Sequence, residues 1–306
     1  MRKKLTNNLL IIIYFLVSLV SLGKEGWSFD KAKYATLVVD QATGKVLYEE
    51  NAEKTRYPAS ITKVMTLYLA FEALAERKVT LGQQLTVSKK AAHMPRTNLN
   101  LKPGQKMTFQ EAIHAAAIKS ANDAAIVIAE AVAGSEEKFV KIMNMRAKML
   151  GMKQTHYSNP TGLPDPEQKS SAYDIARLAI AIQRDYPEYY HIFSKKEFKF
   201  KGKIYKSTNN LLTKYKYNGL TGLKTGFTNM SGFNLVSTAQ KGHRKIVAVV
   251  MGGNTSQDRD KKMISLLNKF LGVSKGEIST LVSNSKSPKK KIIKKSPKKK
   301  IKLVQN

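Results

Sequence analysis

The chain has 306 residues, 42% of them hydrophobic, and carries 53 Lys and Arg against 22 Asp and Glu, a formal net charge of +31. That length allows one large or two modest domains, and the apolar content excludes wholesale disorder or a collagen-like repeat. Without cysteine there is no disulfide framework, thiolate nucleophile or iron–sulfur cluster, and the widely spaced histidines offer no metal-binding pair, so neither metal nor cofactor is expected.

In chain order, Arg2-Lys3-Lys4 precede an uncharged run from Leu9 to Leu22, and Ser21 and Gly23 set small residues at a cleavage point. Residues 1–23 therefore read as a secretory signal peptide, since the run is shorter than the ~20 residues of a membrane-spanning helix. An uncleaved anchor reaching back to Leu5 is the alternative. Export puts the protein in the periplasm or on the outer face of the cytoplasmic membrane, and it removes nucleic acid from the expected partners.

Residues 24–272 contain no linker rich in Pro, Gly or Ser and read as one domain. Tyr34–Asp40 and Lys45–Tyr48, joined by a turn, predict a β-hairpin. Apolar residues at helical spacing then predict helices over Ser60–Ala75, Phe109–Ala117, Asp123–Val132, Glu136–Leu150 and Ala172–Arg184. Strand signals return at Glu197–Lys201, Leu220–Thr225, Phe233–Ala239 and Ile246–Met251, and a helix follows over Ser256–Phe270. Turn chemistry at Thr228–Gly232 and Gln240–Arg244 implies antiparallel neighbours. Strands at both ends with helices between them predict an α+β fold, one antiparallel sheet covered by the terminal helix and by a separate helical layer.

Three short segments carry chemistry. Ser60 and Lys63 are three residues apart at a helix start, on one face and within reach of each other. A serine hydroxyl needs a base, and a lysine serves as one only when burial or nearby cations depress its pKa. Lys119-Ser120-Ala121-Asn122 lies between two Ala-rich helices, where Ser and Asn also serve as plain helix caps. Gly222-Leu-Lys224-Thr225-Gly226 ends a strand, and Gly226 permits close approach of another backbone. Each segment alone has an ordinary structural explanation; together they do not.

Ser60-Ile-Thr-Lys63, Ser120-Ala-Asn122 and Lys224-Thr-Gly226 resemble the three motifs of the penicillin-recognising serine enzymes. The flanking text, including Leu99-Asn-Leu-Lys-Pro-Gly104, Asn159-Pro-Thr-Gly-Leu163 and Gly222 to Thr228, is similar to the low-molecular-mass penicillin-binding D-alanyl-D-alanine carboxypeptidases. The resemblance implies a β-lactamase/transpeptidase-like fold and removal of the terminal D-alanine from peptidoglycan stem pentapeptides. It implies that Ser60 attacks, Lys63 takes its proton and Ser120 relays a proton to the leaving D-alanine. Asn122 would bind the substrate amide, while Lys224 and Thr225 hold its carboxylate. The oxyanion hole would be the backbone N–H groups of Ser60 and Phe227, with Gly226 letting the strand approach. β-Lactams would be covalent inhibitors at Ser60. Two departures stand out: Phe227 replaces a common His, and Thr221 a common Asp.

The same motifs would serve a DD-endopeptidase of peptidoglycan cross-links. A β-lactamase would further need a deacylating glutamate, for which Glu167 is the candidate. A non-catalytic envelope-binding protein accounts for charge and export but not for the motifs. Residues 273–306 end in two Ser-Pro-Lys-Lys-Lys repeats and read as a disordered Lys-rich tail. Its expected role is electrostatic contact with anionic membrane or wall polymers, or none beyond solvation.

Overall fold

Val, Ile and Thr crowd both ends of the domain, and both ends build one sheet. The computed structural model describes residues 32–272, so the expected leader over residues 1–23 and the Lys-rich residues 273–306 lie outside the described residues. Strands β1 (Ala35–Asp40) and β2 (Val46–Glu50) form an antiparallel hairpin. A 3-10 turn, Ala59–Thr62, leads into helix α1 (Lys63–Ala75), which is buried nearly all round and so enclosed by protein. A ribbon of β3 (Gln84–Thr86) and β4 (Lys106–Thr108) precedes α2 (Phe109–His114). Helices α3 (Asn122–Ala133), α4 (Glu136–Met149) and α5 (Ala172–Asp185) complete the helical layer.

Next come β5 (Glu197–Phe200) and β6 (Lys203–Lys206), then β7 (Leu220–Thr228), β8 (Gly232–Lys241), β9 (Arg244–Gly253) and helix α6 (Ser256–Leu271). The main sheet runs β2-β1-β9-β8-β7, antiparallel throughout. Its centre is apolar on both faces. Leu37, Val39, Val247, Val249 and Met251 join the core under the helical layer, while the alternate residues Val38, Ile246, Ala248 and Val250 pack with Met263 and Leu267 of α6. Side chains alternate across a strand, so an unbroken apolar run such as Ile246–Met251 serves two cores at once. Each fully buried Val or Leu there contributes roughly 1.5–3 kcal/mol.

The α+β architecture is the expected one, and four local differences have physical causes. The helix predicted from Ser60 starts at Lys63, because Ala59 sits at φ 50° and the chain turns through a 3-10 segment first. The helix predicted through Ala117 ends at His114 and widens into a π turn, Ala115–Lys119, closed by Ser120 at φ 64°. The strand expected from Glu197 does not join the main sheet, since its neighbour β6 pairs it off as a separate ribbon. Strands β3 and β4 escaped the sequence reading because three residues carry too little alternation.

Candidate active site

The site is assembled where the strained turn before α1, the π turn before α3 and strand β7 converge. Ala59 in the left-handed region is costly for a residue with a Cβ, and the turn holds only because neighbours over-determine it. Asn234 of β8, fully buried, supplies much of that hold. Its Nδ2 donates to the carbonyls of Tyr57 (2.9 Å) and Pro58 (3.3 Å), and its Oδ1 accepts from Gly252 N–H at 2.9 Å. Gly162, at φ 80°, passes so close that a Cβ there would overlap the Ala59 carbonyl.

Lys63 is the best-anchored side chain in the site. Its Nζ lies 2.7 Å from Asn122 Oδ1, 2.5 Å from the Thr161 carbonyl and 3.2 Å from Ser60 Oγ. The first two can only accept, whereas a hydroxyl can donate or accept. A neutral amine has two N–H donors and one lone pair, which matches two acceptors plus the Ser60 O–H. Burial pushes the Lys63 pKa well below the ordinary lysine value, the nearby Lys224 charge pushes the same way, and Asp123 opposes both. The arrangement thus favours the amine that can take a proton from Ser60.

Ser120 and Asn122 follow from the π turn. Its end in the left-handed region at Ser120 buries that residue, and Asn122 starts α3 with Nδ2 donating to the Pro95 carbonyl at 2.9 Å. One N–H of that amide is left for a ligand. Asp123, next in line, was missed by the sequence reading. Its buried carboxylate accepts from the backbone N–H groups of Leu99 (2.8 Å), Leu101 (3.2 Å) and Ala124 (2.8 Å), pinning the Leu99–Leu101 segment to the start of α3. Burial raises its pKa, and those three donors counter the rise.

Strand β7 brings the third segment. Lys224 is buried and lies near enough to Lys63 for their charges to interact; burial, then the Arg259 charge, lowers its pKa to about 7. Arg259 is itself buried against Asp260 at 2.6 Å. Thr225 Oγ1 shares a 2.8 Å hydrogen bond with Thr208 Oγ1. Gly226 is required by proximity, because a Cβ there would stand 2.9 Å from the Pro58 carbonyl, 3.1 Å from Ser60 N and 3.2 Å from Ala59 Cβ. Gly226→Ala is therefore expected to force β7 off the turn that carries Ser60, at about 1–3 kcal/mol of stability, and to slow at least tenfold the β-lactam acylation that the motif resemblance implies. Thermal melts and gel-based capture of a labelled penicillin read the two effects separately.

Phe227 is 49% exposed and its ring stacks on Phe233 with centroids 4.1 Å apart, so the side chain that stands in place of the common His is spent on a surface aromatic pair. Thr221 Oγ1 meets Thr238 Oγ1 at 2.8 Å, and that hydroxyl meets Tyr190 at 2.6 Å, a neutral chain where an Asp would bring charge. Glu167 is 73% exposed at its side chain and pairs with Lys169 at 3.5 Å, a poor setting for a glutamate meant to activate a buried water. The Thr161 carbonyl, like Asp123 and Asn234, had no signal in side-chain chemistry. Its orientation comes from Asn159, whose Oδ1 accepts from Thr161 Oγ1 and from the N–H groups of Thr161, Gly162 and Leu163. Among the described residues no group of three or more His, Asp or Glu could hold a metal ion.

Fold and site together define a serine-type hydrolase with the transpeptidase/β-lactamase-like fold. Residues 28–255 match Peptidase_S11, the D-alanyl-D-alanine carboxypeptidase family, and the chain belongs to that family. It is 34% identical over 316 residues to D-alanyl-D-alanine carboxypeptidase DacF of Bacillus subtilis, covering 99% of this chain and 79% of the relative. It is 36% identical over 237 residues to DacA of Escherichia coli, covering 76% of this chain and 59% of that one. The chain thus spans under two thirds of the E. coli relative's length. Penicillin binding protein 5 of Haemophilus influenzae superposes with a TM-score of 0.75 at 31% identity, over 81% of this chain and 72% of the other.

Proposed function

We propose that the chain removes the terminal D-alanine from peptidoglycan stem pentapeptides through an acyl-enzyme on Ser60, with residues 24–272 as the catalytic domain. The observation that carries this reading is the 3.2 Å contact between Ser60 Oγ and a fully buried Lys63 whose other two partners can only accept hydrogen bonds. Lys63 takes the hydroxyl proton as Ser60 attacks the carbonyl between the two D-alanines. The Ser60 and Phe227 N–H groups hold the oxyanion, a role in which one donor is worth about 2.7–4 kcal/mol. Ser120 passes the proton to the leaving amine, and Asn122 holds the substrate amide with its remaining N–H. Lys224 in its ammonium form and Thr225 grip the terminal carboxylate, which selects a carboxypeptidase substrate. Water then frees the shortened peptide.

A β-lactam presents the same carbonyl and would acylate Ser60, in keeping with the name of the Haemophilus relative. Such substrates lie outside the cytoplasm, which agrees with residues 1–23 as a leader. Mass analysis of a pentapeptide-bearing muropeptide after incubation tests the reaction: free D-alanine with a tetrapeptide is expected. Cross-linked dimers separated without release of D-alanine would mean that the enzyme is an endopeptidase instead.

A further inference from the structure

Between Glu188 and Asp258 the chain has one acid, Glu197, and twelve Lys and Arg. That imbalance is densest on the β5–β6 hairpin. The inner face of the ribbon is spent on anchoring: Phe198 and Phe200 are buried, and Phe198 stacks on Tyr205 with centroids 5.4 Å apart. Its outer face and tip carry Lys199, Lys201, Lys203 and Lys206, all exposed, around Ile204, which is 58% exposed and pairs in register with Lys199. Lys201 and Lys203 lie over the Phe200 and Tyr205 rings rather than in an ion pair. The hairpin also adjoins the cleft. Thr208, two residues beyond β6, donates its N–H to the Ile118 carbonyl at 3.2 Å and shares the hydrogen bond with Thr225.

We propose that this hairpin is a docking surface for the anionic phospholipid headgroups of a bilayer, with Ile204 seated at the interface and the four lysines on the phosphates. Charge alone would suit any polyanion. The exposed isoleucine decides between them: it gains by leaving water for an acyl boundary, whereas a hydrated polymer offers it nothing. Lysine stems can lie along the apolar boundary while their ammonium groups stay with the headgroups. Docked this way, the chain holds its cleft beside the membrane surface. The inference concerns binding and stands apart from the carboxypeptidase reaction.

The absence of cysteine makes a local probe simple. Full-length Ile204→Cys, labelled with a polarity-sensitive dye, is expected to shift to the blue on phosphatidylglycerol vesicles and not on phosphatidylcholine vesicles. Salt at about 1 M, where screening acts within ~3 Å, should reverse the shift. In the same labelled chain, Lys199→Gln, Lys201→Gln, Lys203→Gln and Lys206→Gln together should lower the apparent affinity for those vesicles at least tenfold, while the corresponding four Arg substitutions keep it. Hydrolysis of a soluble peptide should stay within twofold, because none of the four lies in the catalytic machinery. A chain that pellets with vesicles while its dye remains unshifted would show that other segments do the docking and overturn the proposal. Tight binding of soluble polyphosphate, lost in the four-Gln chain and without any shift on vesicles, would assign the hairpin to a polymer and overturn it too.

Discussion

Ser60→Ala is expected to abolish covalent capture of labelled penicillin, with intact mass showing no adduct after prolonged incubation. Loss of a serine nucleophile typically costs on the order of a million-fold, and Ser60 is the hydroxyl proposed to form the acyl bond. The variant should fold normally. Ser60 is half-buried, its Oγ has Lys63 as its hydrogen-bond partner, and Lys63 keeps Asn122 and the Thr161 carbonyl when that partner is lost. Ser120→Ala tests the division of labour within the same experiment: it should still form the adduct, more slowly, since Ser120 is proposed to relay a proton and to form no bond to the acyl group. An adduct of full mass on Ser60→Ala would move the nucleophile elsewhere. Failure of Ser120→Ala to react at all would give that serine a larger part than a relay.

The sequence made the sheet's centre and the three motif segments legible, because long apolar runs and a serine three residues before a lysine are local signals. Ile246–Met251 could be read as a strand although both of its faces are buried, since its length and β-branched content decide the matter. What stayed hidden was the support around the motifs. Asn234 and Asp123 act on backbone groups far away in sequence, and the Thr161 carbonyl is aimed by a loop wound around Asn159. Such contacts exist only once the sheet and the helical layer have met. The left-handed residues Ala59 and Ser120 were equally illegible, since neither type prefers that conformation and tertiary packing imposes it. Periodicity likewise could not separate an α-helix from the 3-10 and π turns that actually carry Ser60 and precede Ser120.

Lys63 and Lys224 share a charge and a depth of burial, and pH should tell them apart. The first is proposed to act as an amine and the second as an ammonium. Lys63→Arg should therefore cost at least a thousand-fold at every pH, since a guanidinium cannot surrender its proton to serve as a base. For the unaltered enzyme, kcat/KM should rise with pH as Lys63 loses its proton, then fall as Lys224 loses its own at about 7 in the empty site. Lys224→Arg keeps a cation for the carboxylate, so it should retain part of its activity and lose the falling limb near neutrality. Stability offers a second readout with a definite sign. Between about 7 and the ordinary lysine value of 10.5, the unfolded chain holds a proton on this side chain that the native chain has released. The Lys224 contribution to native stability then increases as pH rises through that window, and Lys224→Met should remove that part of the pH dependence in denaturant titrations at pH 7 and pH 9. A falling limb that survives Lys224→Arg, or a Lys63→Arg enzyme with several per cent of normal activity, would mean that the two lysines do not divide the work in this way.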